Sequence, residues 1–147
     1  MGVVKYYNFF ENVPCEAVRP GVKAAAIQSE NVMLVMNVLQ PGMELRPHTH
    51  PFEQVAFIMQ GRAIYHVGDQ HEEVGPGSAF VIPAGTLHYI EPLGDEPVYN
   101  LDVFSPPRAD YQHLVRHQSE GDAVPPAPGP AGGAALARGV DEQERGA

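Results

Sequence analysis

Residues 42–61 read GMELRPHTHPFEQVAFIMQG, and the fold turns on how this stretch is read. In an extended chain side chains alternate with a period of two, so His48 and His50 project from one face and offer two imidazoles to a single ion. Pro51 and the polar residues after it bend the chain. The strand expected over Val55–Met59 then returns alongside and brings Gln54 or Glu53 to the same point. A second stretch, residues 77–88, reads GSAFVIPAGTLH. It predicts a short buried strand over Ala79–Ile82, a tight turn through Pro83 and Gly85, and His88 as a fourth ligand.

Working outward, residues 22–28 (VKAAAIQ) and 31–39 (NVMLVMNVL) predict strands. The second run is apolar on both faces, as a strand in the middle of a two-layer sandwich must be. Further strands are expected over Arg62–Val67 and Val98–Phe104, with residues 68–73 as a polar connection. Short strands separated by Gly and Pro turns predict an all-β fold, a sandwich or barrel of jelly-roll type. Residues 6–18 read as an irregular arm of short extended pieces, free to cross to a second subunit, and a homodimer is the expected assembly. Ser105, with Pro106 and Pro107 behind it, predicts the capped start of a short helix over Arg108–His117 that closes one end of the barrel. From Ser119 the chain is Pro, Gly, Ala and scattered charge, too poor in large apolar side chains to offset its conformational entropy. The expected organisation is one domain over residues 1–118 and a disordered tail over 119–147.

The chain has 147 residues, 44% of them hydrophobic, enough for one core. A net charge of -9, with no Lys/Arg cluster, argues against nucleic acid or an anionic membrane as partner and for a small molecule. A single cysteine, Cys15, and no leader-like apolar run near the start predict a cytoplasmic protein. Met1-Gly2 does not make a myristoylation signal, because Tyr6 stands where Ser or Thr is needed.

The two quoted stretches resemble the cupin superfamily, whose motifs are G-x5-H-x-H-x3-E-x6-G and G-x5-P-x-G-x2-H-x3-N. Gly42, His48, His50 and Gly61 fall on the first, and Gly77, Pro83, Gly85 and His88 on the second. Gln54 occupies the Glu position, Glu53 lies one residue early, and Pro92 stands in place of the closing Asn. The resemblance implies a cupin jelly roll holding one divalent ion, zinc, nickel, iron or manganese, on His48, His50, Gln54 and His88. All four side chains are neutral, so the ion keeps its full charge, which favours Lewis-acid or water-activating chemistry over redox chemistry.

Residues 100–111 (NLDVFSPPRADY) carry the second signal. By parity Asp102 and Phe104 share a face with Asn100, and Leu101 shares the other with Val103. If the Leu/Val face is the one between the sheets, Asp102 is a solvated surface acid. This run is similar to the end of small single-domain bacterial cupins of the KdgF type, which open 4,5-unsaturated uronates to 4-deoxy-5-keto acids. The resemblance implies Asp102, Phe104 and Arg108 as working residues: a proton-transferring carboxylate, a ring that packs on the substrate, and a guanidinium for its carboxylate. Arg46, Phe57 and Tyr89 are further candidates for substrate contact. Met33, Met36, Phe57, Met59, Tyr65 and Tyr89 would give an apolar cavity if they line it, and a polyketide or aromatic-precursor cyclase is then an alternative. A cupin dioxygenase and a non-catalytic ligand or metal sensor are the others. His66 and His71 read as ordinary surface or turn residues.

Overall fold

The computed structural model describes residues 2–119, so residues 120–147 of the tail expected over 119–147 lie outside the described residues. The strands are β1 (Glu16–Arg19), β2 (Val22–Gln28), β3 (Met33–Leu39), β4 (Gln54–Gln60), β5 (Arg62–Val67), β6 (Gln70–Val74), β7 (Ala79–Ile82), β8 (His88–Leu93) and β9 (Val98–Phe104). A larger antiparallel sheet runs β1-β2-β3-β9-β4-β7, and a smaller one runs β6-β5-β8. Ala56, Ile58 and Ile82 of the first pack with Ala63, Tyr65 and Val74 of the second, giving a jelly-roll sandwich with its core between the sheets.

Register decides which residues meet inside. Asp102 lies opposite Val35 on one side and Ala56 on the other, and Asn100 lies opposite Asn37 and Ile58. Because successive residues alternate faces, Leu101, Tyr99, Met36 and Ala25 fall on the outer face. That face is covered by Phe9, Phe10 and Val13 of the N-terminal arm, with Phe10 stacked on Tyr99 at 5.7 Å. Both faces of β3 are thus buried, as its unbroken apolar run requires. The arm turns at Asn8, whose carbonyl accepts from the amides of Glu11 and Asn12, and packs on its own chain from Tyr7 to Val13.

Five expectations are corrected. Residues 43–53 form no regular strand, and His48 makes an isolated bridge to His88. Residues 70–74 are a strand, hidden in the sequence because residues 70–73 are exposed and polar on both faces and only Val74 is buried. His88 opens strand β8, and Glu16–Arg19 of the supposed irregular arm pairs with β2. The helix, a 3-10 segment over Ala109–Gln118, starts after Arg108, while Ser105 Oγ donates to the Asn31 carbonyl at 2.7 Å and caps nothing. Leu114 and Val115 of this segment pack on Met33, Val35 and Phe104, and Gln118 hydrogen-bonds both the N–H and C=O of Gln28, so it closes one end of the sandwich. Among the described residues no helix is long and apolar enough to cross a membrane.

The first crossing from the larger to the smaller sheet, between β4 and β5, is made by the single residue Gly61, at φ +86. A Cβ there would meet the Pro97 carbonyl oxygen at 2.6 Å and Val98 Cα at 3.0 Å, backbone atoms that cannot swing aside. Gly61→Ala should therefore lower stability by about 2 kcal/mol or more through strain and clash together, read as a fall in the urea midpoint at unchanged m.

Candidate metal centre

Two backbone hydrogen bonds staple the motif stretches together. His48 N donates to the His88 carbonyl at 3.1 Å and His88 N returns one to the His48 carbonyl at 3.0 Å, while Gly85 N donates to the His50 carbonyl at 2.8 Å. The three imidazoles then converge: ring centroids are 4.3 Å apart for His48–His88, 4.8 Å for His50–His88 and 5.8 Å for His48–His50. One ring nitrogen from each lies within 4.8 Å of the others, a set that can hold a metal ion.

The protonation pattern fits that role. Each Nδ1 sits against a backbone carbonyl, Arg46 at 2.7 Å, Phe52 at 2.8 Å and Thr86 at 2.8 Å. A carbonyl only accepts, so each Nδ1 carries the proton and each neutral ring presents the Nε2 lone pair. His88 Nε2 is buried with no hydrogen-bond partner among the described residues. Burial lowers the His88 pKa, against the pull of the Thr86 carbonyl, with the neighbouring His48, His50 and Arg108 adding to the fall, so its lone pair stays available.

Gln54, the first residue of β4, is buried, whereas Glu53 is exposed. Its amide nitrogen donates to Asp102 Oδ1 at 2.7 Å, which turns Oε1 toward His50 Nε2 at 3.0 Å. In the neutral ring these are two lone pairs facing each other, an arrangement that a cation between them would relieve. The donor set of three Nε2 atoms and one amide oxygen therefore fits a divalent ion.

Asp102 stands on the inner face, not the solvated one. It accepts from Gln54, from Asn100 Nδ2 at 2.8 Å and from Asn37 Nδ2 at 3.0 Å. Burial pushes its pKa up to about 7, against those three donors and the charge of Arg108, which pull it down. Burial, then the charge of Asp102, keeps the Tyr65 hydroxyl protonated, well above its usual range. Asp102, Asn37, Asn100, Tyr65, His48, Gln54 and His88 border a cavity of about 350 Å³, which Arg19, Arg46, Arg108 and Tyr111 also line.

The other candidates divide. Arg108 has its guanidinium 3.8 Å from the Tyr111 ring centroid and 4.8 Å from those of Phe52 and Phe104, and its fork already holds Asp110 at 3.0 and 2.6 Å. Phe104 is buried behind His50 and Arg108 and does not border the cavity, so it supports these residues rather than facing a ligand. Phe57 points outward and is 36% exposed, against its expected place in the site, because its parity is that of the outer face. Tyr89 touches the cavity wall, but its ring stacks on His66 at 4.1 Å. Arg46 lies at the rim beside Glu44. Of the side chains considered for an apolar cavity, Met33 is in the core, Met36 lies under the arm and Met59 is exposed. Asn37, Asn100, Arg19 and Tyr111 were not singled out from sequence. Asn37 carried a signal all the same, as the lone polar residue inside the apolar run of β3.

The model of the family described as "Cupin domain" matches residues 35–104, and the chain carries a cupin domain. It is a small cupin similar to KdgF from Halomonas sp., with 27% identity and a TM-score of 0.60 over 65% of this chain and 88% of that one. Oxalate decarboxylase from Lactobacillus farciminis, solved as a formate complex, is 28% identical with a TM-score of 0.59 over 65% of this chain, which spans 32% of the decarboxylase. An uncharacterised protein of Streptomyces coelicolor is 28% identical over 93 residues, 63% of this chain and 88% of its own length.

Two outcomes are expected at this centre. Zinc at 100 times its dissociation constant should stabilise the wild-type fold by about 2.7 kcal/mol, seen as a raised Tm, and His50→Ala should abolish both the shift and the bound metal measured by elemental analysis. In the metal-free protein, Asp102 has a folded pKa of about 7 against an ordinary value of 3.8. The stability it contributes is therefore present at low pH and lost as pH rises through that window. Asp102→Asn lacks this loss, so its Tm relative to wild type should climb between pH 5 and pH 8; a constant difference would contradict the burial of the carboxyl.

Proposed function

We propose that the protein is a metal-dependent isomerase that opens 4,5-unsaturated uronates to 4-deoxy-5-keto acids, the activity implied by its likeness to KdgF-type cupins. The proposal rests above all on the placement of Asp102, inside the cavity, hydrogen-bonded to Gln54 and poised near neutrality. The reaction is a redox-neutral isomerisation. The anomeric hydroxyl loses its proton, the bond from C1 to the ring oxygen breaks as the C1 carbonyl forms, the ring oxygen becomes the C5 carbonyl, and a proton arrives at C4. A single carboxyl group with a pKa near 7 can take the first proton and deliver one at C4.

The divalent ion, when bound, supplies Lewis-acid polarisation of a ligand oxygen. Arg108, sandwiched among aromatic rings and lining the cavity, presents positive charge to the substrate carboxylate. Because Asp110 already fills the fork, the carboxylate would meet the remaining N–H edge rather than the full bidentate face. Asn100 Oδ1, buried without a hydrogen-bond partner, is an acceptor for a sugar hydroxyl. Met33, Met36 and Met59 lie outside the cavity, whose wall sets the polar Asn37, Gln54, Asn100 and Asp102 against the apolar Val22, Leu39, Met43 and Ile90, so a polyketide or aromatic-precursor cyclase is the second reading. A small-molecule partner, a homodimeric assembly and a cytoplasmic setting complete the proposal.

Asp102→Asn should keep metal and fold and lose about 10²- to 10⁴-fold in rate, the scale of general acid-base catalysis. Arg108→Lys should chiefly raise KM, by the equivalent of about 1 to 3 kcal/mol. The assay is loss of the ultraviolet absorbance of the conjugated unsaturated acid in lyase-digested pectin. Loss no faster than in buffer, with metal-loaded protein, overturns the proposed reaction.

A further inference from the structure

Three side-chain amides meet one carboxylate at the wall of the cavity. Asp102 Oδ1 accepts from Gln54 Nε2 at 2.7 Å and from Asn100 Nδ2 at 2.8 Å, and Oδ2 accepts from Asn37 Nδ2 at 3.0 Å. An ionised carboxylate only accepts, and a protonated one offers a single O–H, so the amides turn their nitrogens to Asp102 and their oxygens away. For Gln54 that oxygen goes toward His50 and the metal position. The oxygens of Asn37 and Asn100 have no such destination. Asn100 is 3% exposed, and its Oδ1 is buried with no hydrogen-bond partner among the described residues. Asn37 commits its nitrogen a second time, to the Asn100 carbonyl at 3.3 Å, so its oxygen is the end left for the cavity that both residues line.

Register makes these two oxygens a pair. Asn37 of β3 and Asn100 of β9 lie directly opposite each other, and side chains so placed stand about 4.5 to 5.5 Å apart at Cβ. We infer that Asn37 and Asn100 form a hydroxyl-reading pair: the ligand of this cavity carries two neighbouring hydroxyls and donates one to each amide oxygen. The inference deepens the proposed function and rests on its assignment of the cavity as the substrate site. The proposed uronate meets the requirement with the hydroxyls of C2 and C3. A buried acceptor left without a donor is costly, so the pair acts as a specificity device that rejects a ligand lacking either hydroxyl. Asp102 is the hub of that device, because the same carboxylate fixes the orientation of both amides.

The test uses probes without the C4–C5 double bond, which the proposed reaction does not convert: galacturonate and its 2-deoxy and 3-deoxy counterparts, titrated calorimetrically into metal-loaded protein. Each deoxy probe should bind about 5- to 100-fold more weakly than galacturonate. Asn37→Ala and Asn100→Ala should each abolish the discrimination at one hydroxyl and keep it at the other. Comparing probes within one variant cancels whatever the substitution does to Asp102. Metal content and Tm show whether each variant is folded, and Asn37→Leu and Asn100→Leu, apolar and of similar size, serve where an alanine variant is not. Equal affinities for the three probes in the wild type, no binding of galacturonate, discrimination at one hydroxyl only, or discrimination that survives unchanged in the folded variants overturns the inference. If uronates are not opened while the asparagine-dependent discrimination is present, the proposed reaction falls and the hydroxyl-reading pair stands. If uronates are opened and the discrimination is absent, the reaction stands and the pair falls.

Discussion

The exchanged backbone hydrogen bonds between His48 and His88 are the constraint on which the site depends. One partner lies in a stretch with no regular strand, so nothing else in the larger sheet's ladder fixes its position. A hydrogen bond contributes only about 1 kcal/mol net, yet two of them between the same residues define distance and orientation together. They set the third imidazole by consequence: Gly85, three residues before His88, reaches the His50 carbonyl, and the Nδ1–carbonyl contacts then turn each ring so that Nε2 faces its neighbours. Metal-binding geometry here is a property of backbone pairing first and of side chains second.

A second constraint is the polar stripe on the inner face of the larger sheet. Asn37, Asn100, Gln54 and Asp102 sit on adjacent strands where apolar residues would stabilise the core more cheaply. An unpaired polar group buried there costs roughly 1 to 3 kcal/mol, and the network avoids most of that by bonding internally. What remains unsatisfied, His88 Nε2 and Asn100 Oδ1, faces the region where an ion and a hydroxylated ligand are proposed to bind. The apolar residues around the stripe, Ala24, Val35, Ala56 and Ile58, remove water and so give the Asp102 carboxyl its raised pKa.

The legible parts of the sequence were those where one period dominates. Strands β2, β5 and β7 fall where alternation and Gly/Pro punctuation put them, and the doubly apolar run of β3 announced a strand buried on both faces. The histidines were legible because spacing and residue type speak together. Strand β6 was not, since its first four residues are exposed and polar and Val74 alone makes no alternation to read. Asp102 was undecidable from parity, because Leu101 and Val103 suit a face covered by the N-terminal arm as well as one between the sheets. Only the arm's packing on Leu101 settles which face is inner, and that contact spans most of the domain. Phe57 failed for the same reason, as its parity partner is Leu101.

The replacement of the family's Glu by Gln54 follows from that placement. Gln54 Nε2 donates to Asp102 Oδ1 at 2.7 Å, so a glutamate at this position would set two carboxylates in contact within a desolvated cavity. Like charges that close cannot both ionise, and one would hold a proton between them. The amide instead offers an oxygen toward His50 and a donor toward Asp102, serving the ion and the acid with one side chain. The consequence is electrostatic. With three imidazoles and an amide as donors, a bound divalent ion would leave its charge for the ligand to balance, and Arg108, Arg46 and Arg19 extend the same sign along the cavity. In the proposed reaction, a site that forgoes a ligand carboxylate keeps a neighbouring one free for proton transfer, and the same exchange leaves positive charge facing the ligand.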